Sequence, residues 1–487
     1  MHVFPKPVLH SPVSINNAGI VEMTAPIHNL HQFISLLEEQ GELSRIRVEA
    51  GPILEIAAIT DRVCKQPDGG RALLFEKPTG KRFPVATNLF GSLRRVCLAL
   101  GVDSLDRLTE RMTALLALAP ELDVSRLDRQ IGALPEFSRF TPVTGHDADL
   151  VAMETPDSGR FPFLQSWPGD GAREGHPRYI TLPQVFTVAP DGGSPNCGMY
   201  RCQVRGPREL AVCWSPGSGA GRHFEAYRSR GEPMPLAICL GGAPAALFSA
   251  TMPLPGDLDE MTFAGFLRNA PLALAACRSV PLRVPVGCEV VMEGYADPLE
   301  TVMEGPFGNH TGFYAPAAPA ALVRVVAISH RADAVIPATL VGPPPMEDCW
   351  MARAWERLLL GFLRRLAPAV AEIRFPPEWV FHQSAIISLE NPNPGMVREI
   401  AGVLWHTPWF GAARMLVFVD ADTGPMDLSR AAWRGINLAD AGLDLIRDES
   451  GTRVALDVTG SRLSRPPVAM DGAIAEQVAR RWREYGI

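Results

Sequence analysis

The segment Tyr179-Ile180-Thr181-Leu182-Pro183-Gln184-Val185-Phe186-Thr187-Val188 is the first of five short apolar runs in the middle of the chain. Met199–Arg205, Leu236–Leu240, Val284–Glu293 and Leu322–Ser329 follow, each set off by proline and glycine. Short β-type runs bounded by turn formers read as strands, and this series predicts an antiparallel or barrel-like sheet with elaborate loops. One helix, Asp259–Arg268, interrupts it.

On the N-terminal side the pattern changes. Leu30, Phe33, Ile34 and Leu37 repeat at helical spacing until Gly41 stops them. Arg45–Val48 reads as a strand, Ile53–Val63 as a helix, Ala72–Glu76 as a strand, and Leu93–Leu100 and Leu105–Leu115 as two further helices. This alternation predicts a small α/β domain ending near Pro120–Pro142. On the C-terminal side α/β alternation returns. Glu347–Leu366 is a long helix, Ala385–Leu389 and Met415–Val419 are buried-type strands, and helices follow at Ser429–Arg434 and Glu476–Tyr485. Asp420 and Asp422, at a strand's carboxyl end, read as loop acids.

Composition narrows the class. Of 487 residues, 47% are apolar and 20% charged, which excludes a disordered chain. The net charge of −7 gives no reason to expect a nucleic-acid partner. No apolar stretch is long enough for a membrane span. Residues 1–26 lack the basic start and apolar core of a signal peptide and read as a loose leader, with Met23 a candidate start. Nine cysteines without a C-x-x-C pattern suggest free thiols in a reducing cytoplasm.

Four features carry candidate chemistry. In Glu304-Gly305-Pro306-Phe307-Gly308-Asn309-His310-Thr311-Gly312, proline and glycine fit a tight reversal that would bring Glu304 back beside Asn309 and His310. That is either an acid–base cluster or a decorated surface turn. In Asn196-Cys197-Gly198-Met199-Tyr200-Arg201, a polar loop feeds a strand carrying Arg201. A buried guanidinium needs an anion, either a ligand's or an internal carboxylate. Gly217-Ser218-Gly219-Ala220-Gly221-Arg222-His223 is either a phosphate cradle or a flexible loop. Glu260 either caps its helix electrostatically or joins Asn196 as an oxygen ligand for Mg²⁺ or Mn²⁺.

Taken in order, these segments resemble the UbiD family of reversible decarboxylases, which use prenylated FMN. Trp167–Asp170, Asn196–Arg201, Gly231–Pro235, Glu260–Gly265, Glu289–Gly294, Glu304–Gly312 and Gly342–Pro344 carry the resemblance, which runs from about Leu30 to the C-terminus. It implies a mixed α/β (α+β) fold: an N-terminal α/β domain over 27–140, a split β-barrel flavin-binding core over 141–330, and a C-terminal α/β domain for oligomerisation over 331–487. It further implies a cytoplasmic homodimer or larger homo-oligomer, an aromatic, heteroaromatic or α,β-unsaturated carboxylic acid as substrate, and a flavin prenyltransferase as cofactor supplier.

Carried onto this chain, the resemblance makes Arg201 and Glu304 the catalytic pair. It places Met199, Tyr200, Arg201, Cys213, Trp214, Ser215, Ser218 and Gly219 at the cofactor. Asn196 and Glu260 match ligands of a divalent cation, Mn²⁺ or Mg²⁺, and K⁺ is a further candidate ion. Two positions depart from the family. Gly217 stands where a third ligand, a His, is usual, leaving His223 or water to substitute. Asn309 stands where a proton-donating Glu or Asp is usual, and an amide cannot serve as that acid. Glu304 is therefore read as the proton donor, with Asn309 hydrogen-bonding the substrate and His310 as the other acid–base candidate. The rival readings are an ordinary FMN oxidoreductase and a degenerate paralogue that binds flavin or a partner without turnover.

Overall fold

A computed structural model describes residues 26–118, 134–193, 195–215, 217–252, 254, 258–407, 409–411, 413–425, 427–438, 440, 442, 444–460, 468 and 470–486. The expected leader, apart from Pro26, and the first part of the Pro120–Pro142 boundary lie outside these residues. The chain forms two compact units. One comprises residues up to Arg365 with Pro377–Phe381, and the other Leu366–Pro376 with His382 onward.

The larger unit is built around an antiparallel sheet. Its strands run in the order Tyr179–Ile180, Cys202–Gly206, Glu209–Val212, Ala318–Arg331, Cys288–Glu304, Met234–Gly241, Pro183–Thr187, Asn196–Gly198, with Leu150–Ala152 added alongside Ala318–Arg331. Tyr179–Ile180 lies at one end of this order and Pro183–Thr187 near the other, yet only Thr181 and Leu182 join them. The sheet must therefore curl on itself, which gives the expected split barrel. Val185, Leu210, Val212, Leu236, Ile238 and Val290 fill its interior and are wholly buried.

A smaller sheet pairs Leu43–Ala50, Ala72–Pro78, Val85–Thr87 and Ile336–Ala338, so the chain returns to the N-terminal layer after leaving the barrel. The helix Glu347–Leu366 then packs Gly361 against Met112 of the helix Asp106–Ala117. In the second unit, Ser384–Leu389, Met415–Asp420 and Val454–Asp457 pair in parallel, flanked by antiparallel Val370–Arg374 and Leu445–Arg447.

Three sequence expectations are corrected. Met199–Arg201 is not strand: the expected single run divides into Asn196–Gly198 and Cys202–Gly206, with Arg201 on the irregular link between them. Val284–Glu293 likewise breaks at Gly287, whose φ of +87° a strand cannot hold. The glycine-rich Gly219–Gly221 opens a helix, Gly219–Arg230, rather than a loop. Ser218 caps that helix by accepting the Gly221 N–H. The helix Pro244–Thr251, buried on nearly every side, shows no amphipathic period and was not anticipated.

Candidate active site

The strand Cys288–Glu304 ends on a wholly buried carboxylate. Arg201 donates to it through Nε (2.8 Å to Oε1) and Nη2 (2.7 Å to Oε2), the planar two-bond fork that arginine makes with carboxylates. The guanidinium carbon lies 4.7 Å from the Phe307 ring centroid, and Tyr179 packs against Phe307 at 4.7 Å between centroids. Burial draws the Arg201 pKa down, but Glu304 more than offsets this and leaves it above the ordinary arginine value. Cys213 directly follows the strand Glu209–Val212, whose Val212 pairs with Cys202, and the Arg201 charge acts on it. Burial raises its thiol pKa, and Arg201 opposes the rise.

The chain does not turn back at Pro306, as the sequence suggested. Phe307–Gly308 pairs with Tyr314–Ala315, so the hairpin continues outward past Glu304. Reversal comes at Asn309–Gly312, where the Gly312 N–H donates to the Asn309 carbonyl (3.0 Å). The Asn309 side-chain oxygen accepts from the Thr311 N–H (2.9 Å) and the Thr311 hydroxyl, which holds it in the turn. His310, at the same tip, has its ring 5.8 Å from that of Phe381, and burial holds its pKa below the ordinary histidine value.

A second loop grips the hairpin. Asp170, almost wholly buried, accepts the N–H groups of Ser166 (3.2 Å) and Trp167 (2.8 Å) on one oxygen and that of Gly308 (2.9 Å) on the other. The Gly171 N–H donates to the Pro306 carbonyl (2.8 Å), and the Gly169 N–H donates to the Tyr314 hydroxyl (2.8 Å). Burial raises the Asp170 pKa, and the three N–H donors and Arg201 oppose that rise.

A separate cluster gathers at the start of the helix Gly219–Arg230. A Cβ on Gly219 would lie 1.7 Å from the Asn196 Oδ1, so only glycine lets this helix approach Asn196. Glu260, in the first turn of the helix Glu260–Arg268, accepts the Cys197 N–H (3.0 Å). Burial pushes its carboxyl pKa up to about 8. Thr187, paired with Asn196 across the sheet, shares a hydrogen bond with His223 Nδ1 (2.9 Å). Burial, and then Arg222, lower the His223 pKa. Tyr200 accepts the Ala220 N–H (3.4 Å), and Trp214 packs on Tyr200 and Phe224. Ser215 accepts through its carbonyl from both the N–H and the hydroxyl of Ser218. Among the described residues, no group of three or more His, Cys, Asp or Glu side chains could hold a metal ion.

The sequence thus points to both partners of the fork and, with Asn196, to Glu260 and His223. It assigned no role to Asp170, Tyr179, Phe307 or Thr187. Only Trp167-Pro168-Gly169-Asp170 carried a signal, an acid after Pro-Gly suited to collecting backbone N–H groups.

Three domain families named for 3-octaprenyl-4-hydroxybenzoate carboxy-lyase match the chain in order: the N-terminal domain over residues 34–115, the Rift-related domain over 144–344 and the C-terminal domain over 349–472. Fold and matches together define an enzyme of the carboxy-lyase class. Uncharacterized proteins of Archaeoglobus fulgidus and Aquifex aeolicus are each 35% identical, over 94% of this chain and 93% of theirs. The chain belongs to the UbiD family. Its structure is similar to the UbiD-class enzyme HmfF from Pelotomaculum thermopropionicum in complex with prFMN (TM-score 0.75, 26% identity, 93% of this chain and 100% of that one). In fold alone it is similar to Sedimentibacter hydroxybenzoicus vanillic acid decarboxylase in its closed form (TM-score 0.79, 22% identity, 93% and 98% covered). Among the described residues no helix is long and apolar enough to cross a membrane.

Proposed function

We propose that this protein is a reversible, non-oxidative decarboxylase of an aromatic, heteroaromatic or α,β-unsaturated carboxylic acid that works with prenylated FMN. The observation that carries the reading is the buried Arg201–Glu304 fork. Loss of CO₂ from a planar carbon leaves electrons that no side chain can accept, and the bound flavin supplies that electron sink. The chain's own groups do the rest. Arg201, with Nε and Nη2 on Glu304, keeps Nη1 for the substrate carboxylate and orients it. Phe307 and Tyr179 close one side of the fork to water. After CO₂ departs, the carbon takes a proton that Glu304 has drawn from solvent, which returns Glu304 to the carboxylate held in the fork, and the Asn309 amide nitrogen hydrogen-bonds the substrate.

The cluster around Asn196 suits a phosphate with a divalent cation. The Asn196 Nδ2 is a buried donor with no partner among the described residues, which calls for an anion. The buried Glu260 carboxyl calls for a cation, and the N–H groups opening the helix Gly219–Arg230 favour a phosphate. Asn196 and Glu260, with His223 or water, would hold Mn²⁺ or Mg²⁺, while Ser218 and Gly219 would face the phosphate. A flavin prenyltransferase would supply the cofactor, and the enzyme would work in the cytoplasm as a homo-oligomer.

The deciding experiment uses protein produced with a flavin prenyltransferase and a panel of aromatic and acrylic acids. It follows CO₂ release and product C–H exchange in deuterated buffer. Exchange that depends on the cofactor supports the reading. Loaded protein inert across the panel would instead favour a paralogue without turnover, the reading that Asn309 and Gly217 support.

A further inference from the structure

The carboxylate of Asp170 takes no part in the proposed chemistry, yet it is the most heavily engaged acid beside it. It is nearly wholly buried, and its three hydrogen bonds all come from backbone N–H groups. A carboxylate in that position is costly unless each oxygen is satisfied. Two of the donors belong to its own loop and the third, Gly308, to the hairpin that begins at Glu304. Asp170 therefore ties two segments 138 residues apart in sequence.

The tie is reinforced on both sides. Gly171 N–H to Pro306 O and Gly169 N–H to Tyr314 Oη fasten the same loop to both strands of the hairpin. Trp167 adds a steric key. Its indole fills the space where a Cβ on Gly308 (2.3 Å) or Gly342 (2.4 Å) would sit, and its Nε1 donates to the Val341 carbonyl (2.8 Å). Between Glu304 and Phe307 no strand pairing fixes the chain, because the ladder with Ala318–Arg331 stops at Glu304 and pairing resumes at Phe307 with Tyr314–Ala315; besides the Asp170 loop, the Tyr179 hydroxyl donates to the Pro306 carbonyl (3.4 Å).

We propose that Asp170 is a positioning residue of the decarboxylase: through Gly308 it holds the Glu304–Phe307 segment so that Glu304 meets Arg201 in the two-bond fork and Phe307 lies beneath the guanidinium. This inference rests on the functional reading of the fork given above. A displacement of about 1 Å in a reacting group lowers turnover by about 10²-fold while leaving substrate affinity much less changed.

Asp170→Asn keeps the shape but puts an amide nitrogen where an acceptor is needed, and Tyr314→Phe removes only the hydroxyl that receives the Gly169 N–H. Both are measured as cofactor-loaded protein for kcat and KM, and in the unloaded state by amide hydrogen exchange. The expected result for Asp170→Asn is a kcat lower by about 10²-fold, KM within about threefold, and at least tenfold faster exchange in the 305–312 peptide but not at 415–420. Tyr314→Phe, an exposed change that spares folding, is expected to lower kcat by about three- to tenfold in the same pattern. If both variants exchange and turn over as the parent does, the proposal is overturned; if the loss lies in KM alone, it is overturned as well. Glu304→Gln, run alongside, separates the two claims. Full activity there refutes the fork reading, whereas the exchange measurement still tests the tie between Asp170 and the hairpin.

Discussion

Arg45 grips Glu38 through Nε (2.6 Å) and Nη2 (2.7 Å), and Arg201 grips Glu304 through the same two nitrogens at nearly the same distances. Their surroundings differ. Arg45 and Glu38 are 34% and 47% exposed, whereas Glu304 is 0% exposed and Arg201 26%. In water, a fork of this kind is screened and contributes little. Where water is largely excluded, removing one partner strands the other charge, so the same geometry matters far more. Sequence separation follows the same division. The exposed partners are 7 positions apart in sequence, and the buried ones 103.

The largest effect is expected at the buried fork. Glu304→Gln should lower CO₂ release and product exchange by about 10³-fold, the span of a lost general acid, while Glu38→Gln leaves both unchanged. Arg201→Lys keeps the charge but loses the two-bond fork, and steady-state assays should show a loss of about 10²-fold; Arg45→Lys should show none. If the two forks respond alike, burial is not what distinguishes them.

A smaller effect tests the cluster around Asn196. Gly219→Ala places a methyl group against the Asn196 Oδ1 and should weaken Mn²⁺ retention by about tenfold on dialysis, with the melting temperature within about 3 °C of the parent.

The smallest effects concern pairs with at least one partner open to solvent, His31 at 33% beside the buried Glu289 and the exposed Arg45–Glu38 fork. His31 shares a hydrogen bond with Glu289 (3.1 Å), which raises its pKa above the ordinary 6.5 against the opposing effect of burial. A raised histidine pKa adds stability that is fully present below the unfolded value and fades as pH rises through the folded one. The melting-temperature advantage of the parent over His31→Gln should therefore be greatest near pH 5.5–6, about 1–3 °C, and vanish by about pH 9. Glu38→Gln should shift the melting temperature by less than about 1 °C, and 1 M salt should abolish even that difference.

Regular elements were legible wherever local pattern and burial agree. Leu93–Leu100 and Glu347–Leu366 carry helical periodicity that their packing repeats, and Ser384–Leu389 and Met415–Asp420 are apolar runs buried on both faces. The pattern failed where a residue's reason lies elsewhere in the chain. Gly219 reads as a cradle or loop former, but its requirement comes from Asn196, and the flexible-loop alternative gives way to the first turn of a helix. Pro306 and Gly308 read as a turn. Gly308 is small because Trp167 lies against it, and the hairpin reverses beyond it.

The sequence by itself determined the α/β ends, the β-rich middle, the family and the two residues of the buried fork, because short-range periodicity and ordered motifs are written along the chain. Only the tertiary structure decided which acid collects three backbone N–H groups, which aromatic ring lies under the guanidinium, and where the hairpin turns. The Asp170–Gly308 and Arg201–Phe307 contacts cross more than a hundred residues, where steric exclusion and the desolvation of a charge, rather than local propensity, select the neighbour.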